Sequence, residues 1–345
     1  MAPQSGNTSV TGTPDAAHVA RFEAELDQLW PLEDRDAGRL GLAVSGGADS
    51  LALLLLAHAA MPGAIAVASV DHGLRPEAAD EVAFVASLCA ALDVPFTALS
   101  VKLAGGNVQA RAREARYAAL ARWVRDEELS ALATAHHADD QAETLMMRLA
   151  RGSGLSGLAG VRAAHPFDPE DGGEPFPLLR PLLSWRKAEL EKVVEACGVT
   201  SVLDPSNLER RFDRVRVRDH LAQHDWLDAQ TLATSAGHLA EAWRAIEWYA
   251  QIDWEEMVAR EEGGGFRYNA NVPRVIQIET VSRIVRELGG MVTRGEAGRA
   301  ADRLWRGENA SLGGVLAVPT VEHVAKVGVE LRVWRFTPEP PRRVH

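Results

Sequence analysis

Cysteine is nearly absent: the 345 residues contain two, Cys89 and Cys197, far apart and outside any CxxC pair. That excludes a disulfide framework and a cysteine-built zinc site, and suits a reducing compartment. Long apolar runs are missing too. None approaches the roughly 20 residues that span a bilayer, and the N-terminal stretch lacks a secretion signal's charged start and apolar core. A cytoplasmic protein with no membrane partner is expected. Positive charge is not in excess, with 37 basic against 48 acidic residues and a net charge of −11. Any nucleic-acid contact must therefore rest on local patches. Neither a Walker A Gly-Lys-Ser/Thr nor a dinucleotide-binding glycine fingerprint occurs, and no internal repeat is visible. Residues 1–17 are polar and rich in Ser, Thr, Gly and Pro, which reads as a disordered tail.

The most informative stretch present is Ser45-Gly46-Gly47-Ala48-Asp49-Ser50. An apolar run, residues 40–44, precedes it, and a leucine-rich run, residues 51–56, follows. Strand, glycine turn, then helix places unpaired backbone N–H groups and small hydroxyls at a helix N-terminus, which favours phosphate. The two glycines permit unusual φ and a close approach of backbone to ligand.

Further along, strands and helices alternate. Residues 64–70, 95–101 and 130–135 read as strands. Residues 76–92, 108–129 and 139–151 read as helices, with apolar residues recurring at three and four. Alternation implies a doubly wound, mainly parallel α/β sheet, in which ligands bind beyond the carboxyl ends of the strands. Residues 166–177, rich in Pro, Gly and acid, read as a flexible surface insert, and 184–197 as a helix. The expected domains are 18–227 and 228–345, the second mainly helical with a short C-terminal β segment over 312–334.

Two further clusters carry chemistry. His136-His137-Ala138-Asp139-Asp140-Gln141-Ala142-Glu143-Thr144 follows the 130–135 strand. Asp140 and Glu143 have capping-box spacing, but two histidines with two aspartates exceed what capping needs. They can contact phosphate, move a proton or help hold Mg²⁺. Arg210, Arg211, Arg214, Arg216 and Arg218 place five arginines within nine residues of an otherwise acidic chain, a patch suited to RNA phosphates. Trp226, Trp243, Trp248 and Trp254 could stack on bases, but their spacing fits core packing at least as well, and core is the expectation. Asp71-His72-Gly73, after the second strand, reads by itself as a turn with a capping Asp, and beside a phosphate-binding loop that Asp could help hold Mg²⁺.

Taken in order, Ser45–Ser50, residues 70–75, Arg116-Tyr117, His136–Thr144 running on to 151–158, 180–183, and 204–207 with the arginines beyond them resemble the tRNA(Ile)-lysidine synthases, within the PP-loop ATP pyrophosphatases. The likeness covers about residues 38–220. It implies use of ATP and Mg²⁺ to adenylate the C2 oxygen of the wobble cytidine in a CAU-anticodon isoleucine tRNA. Free L-lysine then displaces AMP to give lysidine, which changes decoding from AUG to AUA. By matching motif, Ser45, Gly46, Gly47, Ala48, Asp49 and Ser50 would hold ATP, with Asp49 on Mg²⁺. Asp49, Arg116, His136 and Asp140 would carry the chemistry, and the 210–218 arginines would meet tRNA. A tRNA-contacting role for 228–345 and a homodimer are compatible with it.

Three other readings compete. A PP-loop thiolase would need sulfur-carrying cysteines, commonly a CxxC pair. An amidating ligase would not need the arginine patch. A non-catalytic tRNA-binding protein is separated from an enzyme by ATP turnover.

Overall fold

The computed structural model describes residues 10–35, 38–71, 73, 77–101, 108–169, 172–202, 213–224, 226–324 and 329–339. Two compact units result, Met1–Ala240 and Glu241–His345.

The first unit opens with α1 (Ala16–Leu29) and then alternates: β1 (Leu40–Ala43), α2 (Ala48–Ala60), β2 (Ile65–Asp71), α3 (Glu77–Ala91), β3 (Phe96–Ser100), α4 (Val108–Asp126), β4 (Ala131–Ala133) and α5 (Ala138–Ala150). A short α6 (Leu155–Leu158) leads to β5 (Ala164–Phe167), β6 (Phe176–Leu179), α7 (Lys187–Ala196) and α8 (Asp213–Ala222). The sheet order is β3-β2-β1-β4-β6-β5. Every pairing is parallel except the edge pair β5–β6. The expected doubly wound sheet is therefore present, with its switch point between β1 and β4.

Strand alternation divides the core between the two faces. On one face Leu40, Leu42, Ile65 and Val67 meet α2, whose residues Ser50 to Ala57 are all buried. On the other, Ala66, Ala68, Leu132 and Leu178 meet Tyr117, Leu120, Trp123 and Val124 of α4. Gly41 makes that second face possible, because a Cβ there would sit 2.9 Å from both Trp123 and Leu129.

Three expectations are corrected. The insert over 166–177 is in part a β-hairpin, with Pro166 opposite Pro177 and Phe167 opposite Phe176. Stacking of Phe167 on Tyr117 at 5.5 Å holds it, and tertiary packing of this kind overrides local Pro/Gly composition. Val10–Ala17 are ordered: Thr11 N donates to Cys197 O at 3.0 Å, and Asp15 caps α1 through Ala17 N at 2.7 Å. Gly12 lets the segment lie this close to α7, since a Cβ there would collide with Ala196 O. The division between units falls within α9 (Ala229–Met257), later than the 227/228 boundary the sequence suggests.

In the second unit the end of α9, α10 (Arg274–Glu287) and α11 (Arg294–Trp305) accompany a five-stranded antiparallel sheet. Its order is β7 (Val258–Arg260), β8 (Phe266–Asn269), β11 (Val329–Pro338), β10 (Val315–Val324) and β9 (Ala310–Leu312). The β component is thus larger than the C-terminal segment expected. Tyr268, Val281, Ile284, Trp334 and Phe336 form its core. Trp243 is buried and Trp254 packs on this core, but Trp226 and Trp248 are 75% and 68% exposed, against the core reading of all four.

Candidate active site

The Ser45–Ser50 and His136–Thr144 clusters each lie just beyond the end of a parallel strand, β1 and β4, whereas Arg116 stands on α4 and Arg214 to Arg218 on α8. After β1 the chain turns through Gly46 at φ +86°, a conformation that glycine adopts freely. It then enters α2 at Gly47, and no side chain caps that N-terminus. Ser50 Oγ accepts from Ser45 N at 3.1 Å and donates to Gly47 O at 2.9 Å, which fixes the loop from within. Ser45 through Ser50 therefore form one cradle of backbone N–H groups and hydroxyls, the arrangement that binds phosphate.

Beyond β4, His137 is buried, with Nε2 3.5 Å from Asp49 and 3.6 Å from Asp140, and Nδ1 3.6 Å from Asp139. Burial opposes its charge, but the three carboxylates outweigh burial and raise its pKa to about 10. His137 is thus a structural cation that ties the PP-loop carboxylate to α5. Asp139 is held well below the ordinary carboxylate range: His137, Lys187 N and Arg186 outweigh its burial. Asp49 Oδ1 is buried without a hydrogen-bond partner among the described residues. Such an oxygen fits Mg²⁺, which takes one or two carboxylates beside phosphate oxygens and keeps water.

His136 is the electrostatic opposite. Its Nδ1 lies 3.0 Å from Thr134 Oγ1. Burial first, then Arg180, Arg113, Arg214 and Arg116, push its pKa down to about 2. It is a neutral imidazole inside an arginine-rich pocket, suited to hydrogen bonding at a site where negative charge arrives. Arg116, half-buried on α4, lies 5.3 Å from the Tyr117 ring, and burial and Arg113 lower its pKa.

Asp140 accepts from His137 N at 3.2 Å, so it completes a cap with His137. Glu143 is not its capping partner, contrary to the spacing argument. Glu143 is instead buried and takes Arg214 Nε and Arg218 Nε, each at 2.6 Å, while Arg214 Nη2 reaches Asp140. Arg214 and Arg218 are i,i+4 neighbours on one face of α8, and that face meets α5. Arg216 is 67% exposed and lies 3.6 Å from Asp213, outside the Glu143 pairings. The arginine run is therefore split between an ion-pair network and solvent. Arg210, Arg211, His72 and residues 204–207 lie outside the described residues, and Asp71 caps Gly73 N at 2.8 Å.

Sequence reasoning gave Arg180 no individual role, read Glu143 as a cap, and did not separate His137 from His136. Arg180 follows β6 and is buried, donating to Arg162 O at 2.6 Å and His165 Nδ1 at 3.2 Å. Its place just after an apolar run was the available signal. Gln141 pairs both ways with Val161, at 2.8 and 2.7 Å, and Arg148 reaches Gly160 O at 3.1 Å. Together they tie the 152–161 segment to α5.

Fold and loop together define a PP-loop nucleotide-binding protein, and the PP-loop domain family matches residues 19–225. The U34-tRNA thiolase NcsA from Methanococcus maripaludis has the same fold, with a TM-score of 0.51, 16% identity, and coverage of 65% of this chain and 80% of that one. Over 98% of its length the chain is 45% identical to the tRNA(Ile)-lysidine synthase of Novosphingobium aromaticivorans, covering 97% of that protein. It is 39% identical to the enzyme of that name from Zymomonas mobilis, over 89% of this chain and 90% of the relative. The chain belongs to the tRNA(Ile)-lysidine synthase family.

Proposed function

We propose that this protein joins free L-lysine to C2 of the wobble cytidine in a CAU-anticodon isoleucine tRNA, converting ATP to AMP and pyrophosphate. The observation that carries the reading is the convergence of the Ser45–Ser50 cradle with Asp49, His136 and Asp140 at the switch point of the sheet, in a chain of this family. The cradle binds the triphosphate. Mg²⁺, held by Asp49 with phosphate oxygens, would neutralise charge on the phosphates.

In the first step cytidine O2 bonds to the α-phosphorus and pyrophosphate leaves. Arg116 and the neutral His136 face the charge that develops on the phosphate, a term that preorganised donors supply best. In the second step the lysine amine attacks C2, the C2–O bond breaks and AMP departs. Asp140 takes the amine proton. The second unit contacts tRNA, supported by exposed Trp248 and Tyr249 on α9, rings of the kind that stack on bases. No helix among the described residues is long and apolar enough to cross a membrane, and a tRNA substrate would be met in the cytoplasm.

The test is incorporation of labelled lysine into an isoleucine tRNA transcript bearing CAU, with and without ATP and Mg²⁺. Labelling that needs ATP and vanishes when the wobble cytidine becomes uridine is the expected result. A folded, ATP-binding protein that labels neither transcript would overturn the substrate assignment.

A further inference from the structure

A cavity of about 540 Å³ lies on the α4 side of the sheet, between α4 and the β5–β6 hairpin. The Ser45–Ser50 cradle leads into α2, which packs on the opposite face. Its size is that of a small-molecule site. Tyr117 and Phe167, stacked at 5.5 Å and 23°, give it an aromatic wall. Arg113 and Arg122 stand exposed along α4, and Arg180 and His165 line the interior.

Two of these groups are polar and more than nine-tenths buried, and they lie beside each other. Tyr117 is 8% exposed and Arg180 4%. The Tyr117 hydroxyl has only the Arg116 and Arg180 guanidinium groups beside it, and Arg180 Nε itself makes no hydrogen bond among the described residues, so neither group has its full set of partners. Burying such groups short of partners is costly, so a ligand that accepts hydrogen bonds would relieve them. His165 adds another donor. Its Nδ1 takes the Arg180 N–H at 3.2 Å, which leaves the proton of the neutral ring on Nε2. Burial and Arg180 hold that ring neutral, with a pKa lowered to about 4. Glu114 and Asp168 also line the space, so the arginines outnumber the carboxylates three to two.

An aromatic wall, interior donors and outer arginines match the three parts of a nucleotide: a base face, an acceptor edge and a phosphate. The reacting cytidine does not fit here, because Asp49, His136 and Asp140 are not among the lining residues. The cavity nevertheless adjoins the catalytic pocket, since Arg180 and Arg113 both act on His136. We infer that the cavity is a second nucleotide subsite, which takes an unpaired anticodon-loop nucleotide neighbouring the reacting cytidine. Its base lies against Tyr117 and Phe167, its acceptors toward Arg180 and His165, and its phosphate by Arg113 and Arg122. This rests on tRNA being the substrate, as proposed above.

The test measures lysine incorporation by the full chain with transcripts carrying one abasic site at each anticodon-loop position. Phe167→Ala should raise KM for tRNA by roughly 10- to 100-fold, the scale of one lost base stack. KM for ATP and lysine, and kcat, should stay within about twofold of wild type on this stacking account. Wild-type enzyme should lose a similar factor when one base beside the cytidine is removed, and Phe167→Ala should lose nothing more from that removal. Arg122→Ala, an exposed change that leaves folding intact, should raise the same KM and lower its salt dependence.

An unchanged KM for tRNA in a Phe167→Ala protein that melts like wild type overturns the subsite. So do independent, multiplying effects of the variant and the abasic site. Inhibition of wild type but not Phe167→Ala by free CMP or inorganic phosphate, with KM for tRNA unchanged, would assign the cavity to a free anion instead. If wild type labels no transcript, the functional reading fails, and direct tRNA binding by the same variants then decides the subsite separately.

Discussion

His136 and His137 sit side by side after β4, yet burial among arginines keeps the first neutral while three carboxylates keep the second charged. For His137 the folded pKa lies above the unfolded value. Its stabilising contribution is therefore complete below about 6.5 and is lost as pH rises through about 10. Urea denaturation at pH 7 and pH 10 should show wild type weakening across that interval. His137→Gln should begin weaker and change little, and equal slopes in the two proteins would contradict the carboxylate clamp. His136 should stay neutral in the ligand-free protein down to about pH 4, visible in its imidazole nitrogen shifts. Asp49→Asn should abolish pyrophosphate release. Asp139 and Asp140 still face His137, so the melting temperature of the first unit, Met1–Ala240, should fall by only about 2–4 °C, the shift for ~1 kcal/mol in a unit of that size.

Helix α8 shows how a spacing of four separates residues that a linear reading groups together. Arg214 and Arg218 close on buried Glu143, and Arg216 does not. Replacing Arg214 and Arg218 together with Ala leaves a buried carboxylate without partners. That should cost about 2 kcal/mol, below the usual figure for breaking a buried pair because both arginines are more than a third exposed. Arg216→Ala should leave stability unchanged and lower the salt slope of tRNA binding by about one phosphate contact. A stable Arg214/Arg218 double variant would remove Glu143 from the network. Helix α9 makes the same point with tryptophan. Trp243→Ala should cost about 3–5 kcal/mol because it empties a buried site, whereas Trp248→Ala, exposed, should stay within about 0.5 kcal/mol.

At the scale of the molecule, the first unit holds the Ser45–Ser50 cradle and the second has its own core. Hydrogen exchange with ATP and Mg²⁺ should slow over the β1–α2 and β4–α5 turns and leave the β10–β11 pair unchanged, since ligand stabilises what it touches. Protection in β10–β11 but not at residues 45–50 would place the nucleotide elsewhere.

Much of this architecture is local in origin and hence legible along the chain. Short apolar runs marked β1 to β4, apolar residues at three and four marked α3, and the Ser45–Ser50 turn announced its chemistry because strand, glycine turn and helix are neighbours in sequence. The β5–β6 pair escaped notice because its stability comes from Phe167 stacking on Tyr117, some 50 positions earlier. Glu143 looked like a cap until α8, about 70 residues on, brought two arginines to it. The charge states of the two histidines, the division of the arginine run and the cavity beside α4 were decided by tertiary structure alone. Burial and charge proximity depend on which distant elements pack together, and no local pattern encodes that.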